Sequence, residues 1–253
     1  MATRKRLSTR FGSVGPSQQD DGTITSGTAS ETNRVILGGI PFEQFVIGTQ
    51  TVLVPANHAD GTNIVQTDTN GVGQVLTPYS NSGASPLEFI IGTDPAFFIE
   101  LTVQVTDWSG NRLMVGFHGG AAGTTQAHQT VAAFADYTDL ALLGNYAGGA
   151  VDVYTQQCIN DAAPTDADTT INLTDGDVMK ARVSVGSTGI VTYSLSLAAS
   201  ATPTTFTAQT LTIPAVQTFD TGDNVYPMIL QVAHTDTASA VVLKELVVGY
   251  LGT

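Results

Sequence analysis

Carboxylates are the first side chains in this sequence that could carry chemistry. The glutamates are Glu31, Glu43, Glu88, Glu100 and Glu245. A glycoside hydrolase needs two carboxyl groups roughly 5 to 9.5 Å apart, one of them kept protonated by its surroundings. Residues i and i+2 on one strand face would supply that spacing, yet no Glu-x-Glu or Glu-x-Asp pair occurs. These glutamates are therefore read as solvated or interface groups, and no catalytic residue is assigned. Asp166-Ala-Asp168, Asp175-Gly-Asp177 and Asp220-Thr-Gly-Asp223 gather hard oxygens of the kind calcium prefers. None has EF-hand spacing, and Asp-Gly is a common turn dipeptide. A structural metal ion is left open, and no cofactor is expected.

The other reactive types are scattered. His58, His118, His128 and His234 follow no zinc spacing, and no HExxH, GxSxG or Walker sequence is present. His118 and His234 fall at the ends of apolar segments, which suggests surface or rim positions. Trp108 and Tyr79 could stack on a sugar, although Trp108 sits in a tight turn and could equally cap a core. Cys158 is the single cysteine. Without a partner thiol or neighbouring base it is expected to be inert. Arg4, Lys5, Arg6 and Arg10 hold four of the nine basic residues, and Arg in such an arm suits charge-assisted contacts to an acidic partner. They are the expected partner-binding residues.

Composition narrows the field. With 9 Lys+Arg against 22 Asp+Glu, a formal charge of -13 repels nucleic acid and anionic membrane over most of the chain. Nucleic acid could be met only through the basic arm. No apolar run reaches the 18 to 20 residues of a membrane helix, and Met1-Ala-Thr-Arg-Lys-Arg6 leads into polar sequence, so neither a membrane span nor a signal peptide is expected. Charged residues are only 12% of the chain, against about 25% in ordinary domains. Thr, Ala, Gly, Ser, Asn and Gln fill their place, a mixture that favours strands and turns over helices.

The elements that would position these groups can be read from periodicity. In Phe97-Phe-Ile-Glu-Leu-Thr-Val-Gln-Val-Thr106, Ile99, Leu101, Val103 and Val105 share one face, and Glu100, Thr102, Gln104 and Thr106 the other. That is a half-buried strand. Asp107 to Asn111 reads as a turn, and Leu113, Val115 and Phe117 resume the alternation, so an antiparallel hairpin is expected. A second hairpin is expected on either side of Ala147-Gly-Gly149, with Val151 and Val153 alternating against Asp152 and Tyr154. The firmest pattern pairs Met179, Ala181, Val183 and Val185 with Val191, Tyr193, Leu195 and Leu197 around Gly186–Gly189. Asp161 to Thr170 reads as a loop, Gln129 to Tyr137 as a possible short helix, and Thr210 to Ile213 and Tyr226 to Val232 as strands. Val241 to Leu251 is apolar on both sides, which predicts a central strand covered on both faces. Residues 1–33 have almost nothing to bury and form an extended basic and polar arm; residues 34–253 form a single domain. The fold class is all-β, a two-sheet antiparallel β-sandwich.

From about Leu87 to Leu251 this order of elements resembles the concanavalin-like (legume-lectin-like) jelly roll, above all the versions found in tailed-phage structural proteins. The residues that carry the resemblance are Leu113-Met-Val-Gly-Phe117, Tyr137-Thr-Asp-Leu-Ala-Leu-Leu-Gly144, the paired strands Val178–Val185 and Ile190–Leu197, and the closing pair Tyr226–Leu230 and Val241–Gly249. The resemblance implies a virion structural protein: a capsid decoration (cement) protein, head fibre or tail component. Its partners would be other virion proteins (major capsid or tail subunits) and copies of itself, and it would be made in the host cytoplasm. Two alternatives stand beside it, a carbohydrate-binding lectin-like module for host attachment and a jelly-roll glycosidase.

Overall fold

Strands whose alternate residues are apolar can bury one face only by stacking against a second sheet. A computed structural model describes residues 6–10, 33–37, 40–47, 56–58, 61–64, 73–78, 87–119, 137–146, 151–160, 162–199, 203, 205–213, 217–233 and 240–251. The strands are β1 (Arg6–Arg10), β2 (Asn33–Leu37), β3 (Ile40–Ile47), β4 (Ala56–His58), β5 (Gly61–Ile64), β6 (Gly73–Thr77), β7 (Phe89–Ile90), β8 (Phe97–Val105) and β9 (Asn111–Gly119). They continue as β10 (Leu140–Asn145), β11 (Asp152–Cys158), β12 (Thr165–Asn172), β13 (Val178–Val185), β14 (Val191–Ala198), β15 (Thr207–Ala208), β16 (Asn224–Ala233) and β17 (Val241–Tyr250). One sheet runs β15-β14-β13-β8-β17-β5-β4, with β1 also on β17; we call it the first sheet. The second runs β12-β11-β10-β9-β16-β6-β3-β2, with β7 also on β16. Every pairing is antiparallel, so the molecule is a two-sheet antiparallel β-sandwich of the jelly-roll, concanavalin-like kind.

The core lies between the sheets where the alternation places it. Ile99, Leu101, Val103 and Val105 from β8 meet Leu113, Val115 and Phe117 from β9, all buried. Phe97 bridges the layers, stacked on Phe89 at 4.3 Å and edge-on to Phe117 at 5.1 Å. The β13–β14 hairpin has its expected register, with Val183 opposite Tyr193. β10 and β11 pair as expected, and β17 is buried on both faces. A line of buried amides crosses the inner face of the second sheet: Gln44 donates to Gln74, Gln74 to Gln231, and Gln231 to Asn111. One slip of register would leave these groups unpaired in the core, so the line opposes slippage of β3 and β6 on β16.

Several expectations are corrected. β8 and β9 do not form a hairpin: β8 pairs with β13 and β17, while β9 pairs with β10 and β16. The turn at Asp107–Gly110 carries the chain from one sheet to the other, because both strands have an apolar face to turn inward. Trp108 plugs that arch, fully buried, and its backbone N–H donates to Asp175 Oδ1 at 2.9 Å. Part of the Asp161–Thr170 loop is instead β12, an edge strand; Asp166 and Asp168 leave it no apolar alternation to detect, as is usual at sheet edges. Residues 209–213 form no strand. Glu100 and Thr102, read as the wet face of β8, are only 8% and 5% exposed, since β8 lies between two other strands and Lys180 and Arg182 close over Glu100. Of the helix expected from Gln129, only Tyr137 lies within the described residues.

Candidate functional site

The expected partner-binding residues come first. Arg4 and Lys5 lie outside the described residues, and of Arg6 and Arg10 only the backbone is described. That backbone runs antiparallel to β17, with Arg6 opposite Gly249 and Arg10 opposite Glu245. So for these five residues of the 1–33 segment the chain's own sheet edge supplies the backbone partners.

The carboxylates separate into three kinds. Glu100 is neutralised, by Lys180 at 3.0 Å and Arg182 at 2.7 Å, with the Arg182 guanidinium also 4.4 Å from the Phe98 ring centroid. Glu88 accepts the Tyr226 hydroxyl at 2.7 Å. Most loop aspartates build turns. Asp177 Oδ2 accepts Thr174 N–H, Asp223 Oδ2 accepts Asp220 N–H, and Asp220 Oδ2 accepts Asn160 Nδ2. Asp139 Oδ1 accepts Asn160 N–H, and the Asp139 carboxyl is pushed up by burial and by the charges of Asp223 and Asp220. Each of these contacts uses one carboxylate oxygen to hold a loop in shape. Among the described residues no three His, Cys, Asp or Glu side chains come together as a metal site.

The third kind lies on the outer face of the second sheet. Tyr154 on β11 stands opposite Asp168 on β12, and Gln156 opposite Asp166. Asp152 shares that face two residues before Tyr154, as strand alternation requires. A bulge in β12 between the Tyr154–Asp168 and Asp152–Asn172 pairings holds Thr170 at φ 66, and Asp168 Oδ1 accepts the Thr170 N–H at 2.7 Å. Bulges of this kind re-aim side chains at binding faces. Tyr146, at the end of β10, meets Tyr154 edge-on at 6.4 Å, and the Arg112 guanidinium of β9 lies 5.5 Å from the Tyr146 centroid. Gly144, opposite Tyr154, adds no side chain there; a Cβ would lie 2.0 Å from the Leu113 carbonyl oxygen. Both rings are part-exposed, and Asp166 and Asp168 are exposed. Two aromatic faces ringed by acceptors, with one guanidinium donor, can stack on the apolar side of a pyranose and hydrogen-bond its hydroxyls.

The sequence singled out other aromatics. Trp108 is wholly buried and can stack on nothing; Tyr79 lies outside the described residues. The outward alternation of Asp152 and Tyr154, set against Asp166-Ala-Asp168, was the available signal, but it needed β12 to be known as a strand. His118 is not on the rim. It is fully buried on the outer face of the second sheet, with Nε2 2.8 Å from Thr77 Oγ1 and Nδ1 2.9 Å from the Gly119 carbonyl. Burial lowers its pKa to about 4, outweighing the Gly119 contact. Cys158 is buried, its Sγ lying 2.9 Å from the Ala162 carbonyl oxygen and 3.2 Å from that of Tyr137, either of which can accept its single S–H. His128 and His234 lie outside the described residues, as does Glu31; the side chains of His58 and Glu43 are not described.

No protein-family model matches this chain, and no curated protein sequence matches it. Solved structures do. The exoplasmic/lumenal domain of VIP36, in a Ca2+/Man3GlcNAc-bound form, is 8% identical with a TM-score of 0.50, over 83% of this chain and 84% of that one. A protein of unknown function from Shewanella oneidensis MR-1 is 12% identical with a TM-score of 0.49, over 96% of this chain and 85% of that one. A legume lectin-like domain from Entamoeba histolytica is 8% identical with a TM-score of 0.49, over 83% of this chain and 90% of that one. The chain has the concanavalin-like, lectin-type jelly-roll fold, and at such identities the likeness extends to the fold alone.

Proposed function

We propose that this protein is a non-catalytic, lectin-like glycan-binding module. Its sugar would lie on the outer face of the second sheet, against Tyr146 and Tyr154 and within reach of Asp152, Asp166, Asp168 and Arg112. The observation that carries this reading is the part-exposed Tyr146–Tyr154 pair set among polar side chains on a rigid sheet. Polar groups placed around apolar platforms are what orients a bound ligand. By analogy of fold, the VIP36 domain is known in a Ca2+/Man3GlcNAc-bound form. Calcium plays no part in the proposal: Asp152, Asp166 and Asp168 lie on strands and would meet the ligand directly. Probing a glycan array with the intact protein should give a defined set of binders, and Tyr154→Ala should weaken them at least about tenfold while the protein stays folded. An array without binders, or one that Tyr154→Ala leaves unchanged, would sink the proposal.

A second reading, a virion component, is favoured by the N-terminal strand. β1 fills one edge of β17 within the same chain, and the same pairing made by the arm of a neighbouring copy would join subunits by strand exchange. The two readings meet in a host-attachment protein. Fractionating virus particles on a density gradient tests this one: the chain should travel with intact particles, and finding it only in the soluble fraction would reject the virion setting.

A further inference from the structure

The charges around Tyr154 bear on what kind of sugar this face would take. Asp152 lies on the strand of Tyr154, and Asp166 and Asp168 lie on the adjacent strand, all directed to the same outer face. The ion pairs described in the molecule both belong to Glu100; none reaches these three carboxylates. A chain with only 9 Lys+Arg thus commits Lys180 and Arg182 to a single glutamate and leaves three neighbouring aspartates without a cation among the described residues. Arg112, on β9, is set over the Tyr146 ring instead, with its Nε buried and without a hydrogen-bond partner. The field at the phenol agrees: Tyr154 is raised above its ordinary value by desolvation and then by the charges of Asp168, Asp152 and Asp166.

From this arrangement we infer that the preferred ligand is an amino sugar carrying a protonated amine, a glucosamine-type residue, and that uronate and sialic-acid glycans are rejected. The inference rests on the glycan-binding reading above and adds the charge of the ligand. Like charges set against a binding face discriminate strongly, and a compact ammonium offers three donors to the carboxylates while its pyranose ring stacks on tyrosine. A neutral sugar would satisfy the rings but leave the carboxylates without a counter-charge.

Three oligosaccharides of equal length separate the cases by titration calorimetry on the intact protein: glucosamine oligomers, the same oligomers N-acetylated, and oligo-uronates. The glucosamine oligomer should bind about tenfold or more tighter than its N-acetylated form, a preference that shrinks with added salt, and the uronate should not bind. The pair Asp166→Asn and Asp168→Asn, both at exposed positions, should bring the ratio of the first two affinities toward one, with melting used to confirm folding. Equal affinity for the amine and its N-acetyl form, or tighter uronate binding, would overturn the inference while leaving the glycan module standing. Displacement of the sugar by an equally charged lysine oligomer just as effectively would also overturn it, because attraction to the net charge of -13 would then suffice. No binding of any of the three, together with a blank glycan array, would remove the glycan-binding reading itself.

Discussion

The outer face of the second sheet has two ends that share β9 and β10, and they have opposite fates. At one end His118, Tyr137 and Tyr226 come together, with His118 5.5 Å from the first ring and 5.6 Å from the second, beside a buried cluster of Met114, Leu140, Leu142, Met228 and Leu230. At the other end Arg112, Tyr146, Tyr154, Asp152, Asp166 and Asp168 stay in contact with water. Arg112 and His118 lie on one face of a single strand, β9. Two tyrosines stand at each end, so residue type does not decide the difference. Burial does: where water is excluded, the histidine must be neutral and hydrogen-bonded, and where water remains, unpaired carboxylates are tolerated and open to a ligand.

The comparison is most easily broken by putting a charge at each end. Met228→Asp should cost several kcal/mol, about 3 or more, because the new carboxylate has neither water nor a partner in that cluster. Chemical denaturation reads this directly, and a midpoint close to that of the unaltered protein would show that the face is wet after all.

The next effect in size is the acid dependence of stability. The folded pKa of His118 lies near 4, below its unfolded value of about 6.5, so between those pH values the unfolded chain binds the extra proton. Its contribution is therefore complete above pH 6.5 and falls as the pH drops toward 4, by about 3 kcal/mol in all. Asp139 has the opposite sign: its carboxyl is raised, so the folded state gains protons first and offsets part of the loss at the acid end. Denaturation series from pH 7 to pH 4 should show His118→Gln with a flatter acid limb, although less stable at pH 7. An unchanged limb would mean that His118 is not the group that titrates. The smallest effect belongs to the wetter end: Tyr154→Asp should cost about 1 kcal/mol, since the new carboxylate keeps its water and adds only cross-strand repulsion with Asp168 and a weaker strand former. A loss as large as that of Met228→Asp would erase the distinction between the two ends.

Much of the sandwich was legible in the chain. Met179, Ala181, Val183 and Val185 alternate without a break and are buried as read, and the double-sided β17 is covered on both faces. Less was legible of the candidate site. Asp152 and Tyr154 alternate outward in the sequence as they do in the fold, but Asp166-Ala-Asp168 read as loop because an exposed edge strand has no apolar face to announce it. Trp108 drew attention as an aromatic in a turn, and only the crossing between sheets shows why it is buried there.

Local pattern by itself determined which residues face inward on β8, β13 and β14, that β17 is covered on both faces, the all-β class, and the absence of a nucleophile or metal motif in the sequence. Those properties follow from period two and residue type, which act over a few neighbours. Tertiary structure alone decided that the turn after β8 changes sheets, that His118 is enclosed while Tyr154 is open, and that among the described residues Glu100 receives two cations while the aspartates near Tyr154 receive none. Glu100 and Arg182 are 82 residues apart in the chain, and Tyr154 and Asp168 lie on strands joined by a loop. Burial and charge pairing are sums over whatever the fold brings within a few ångströms, and no short stretch of sequence contains that sum.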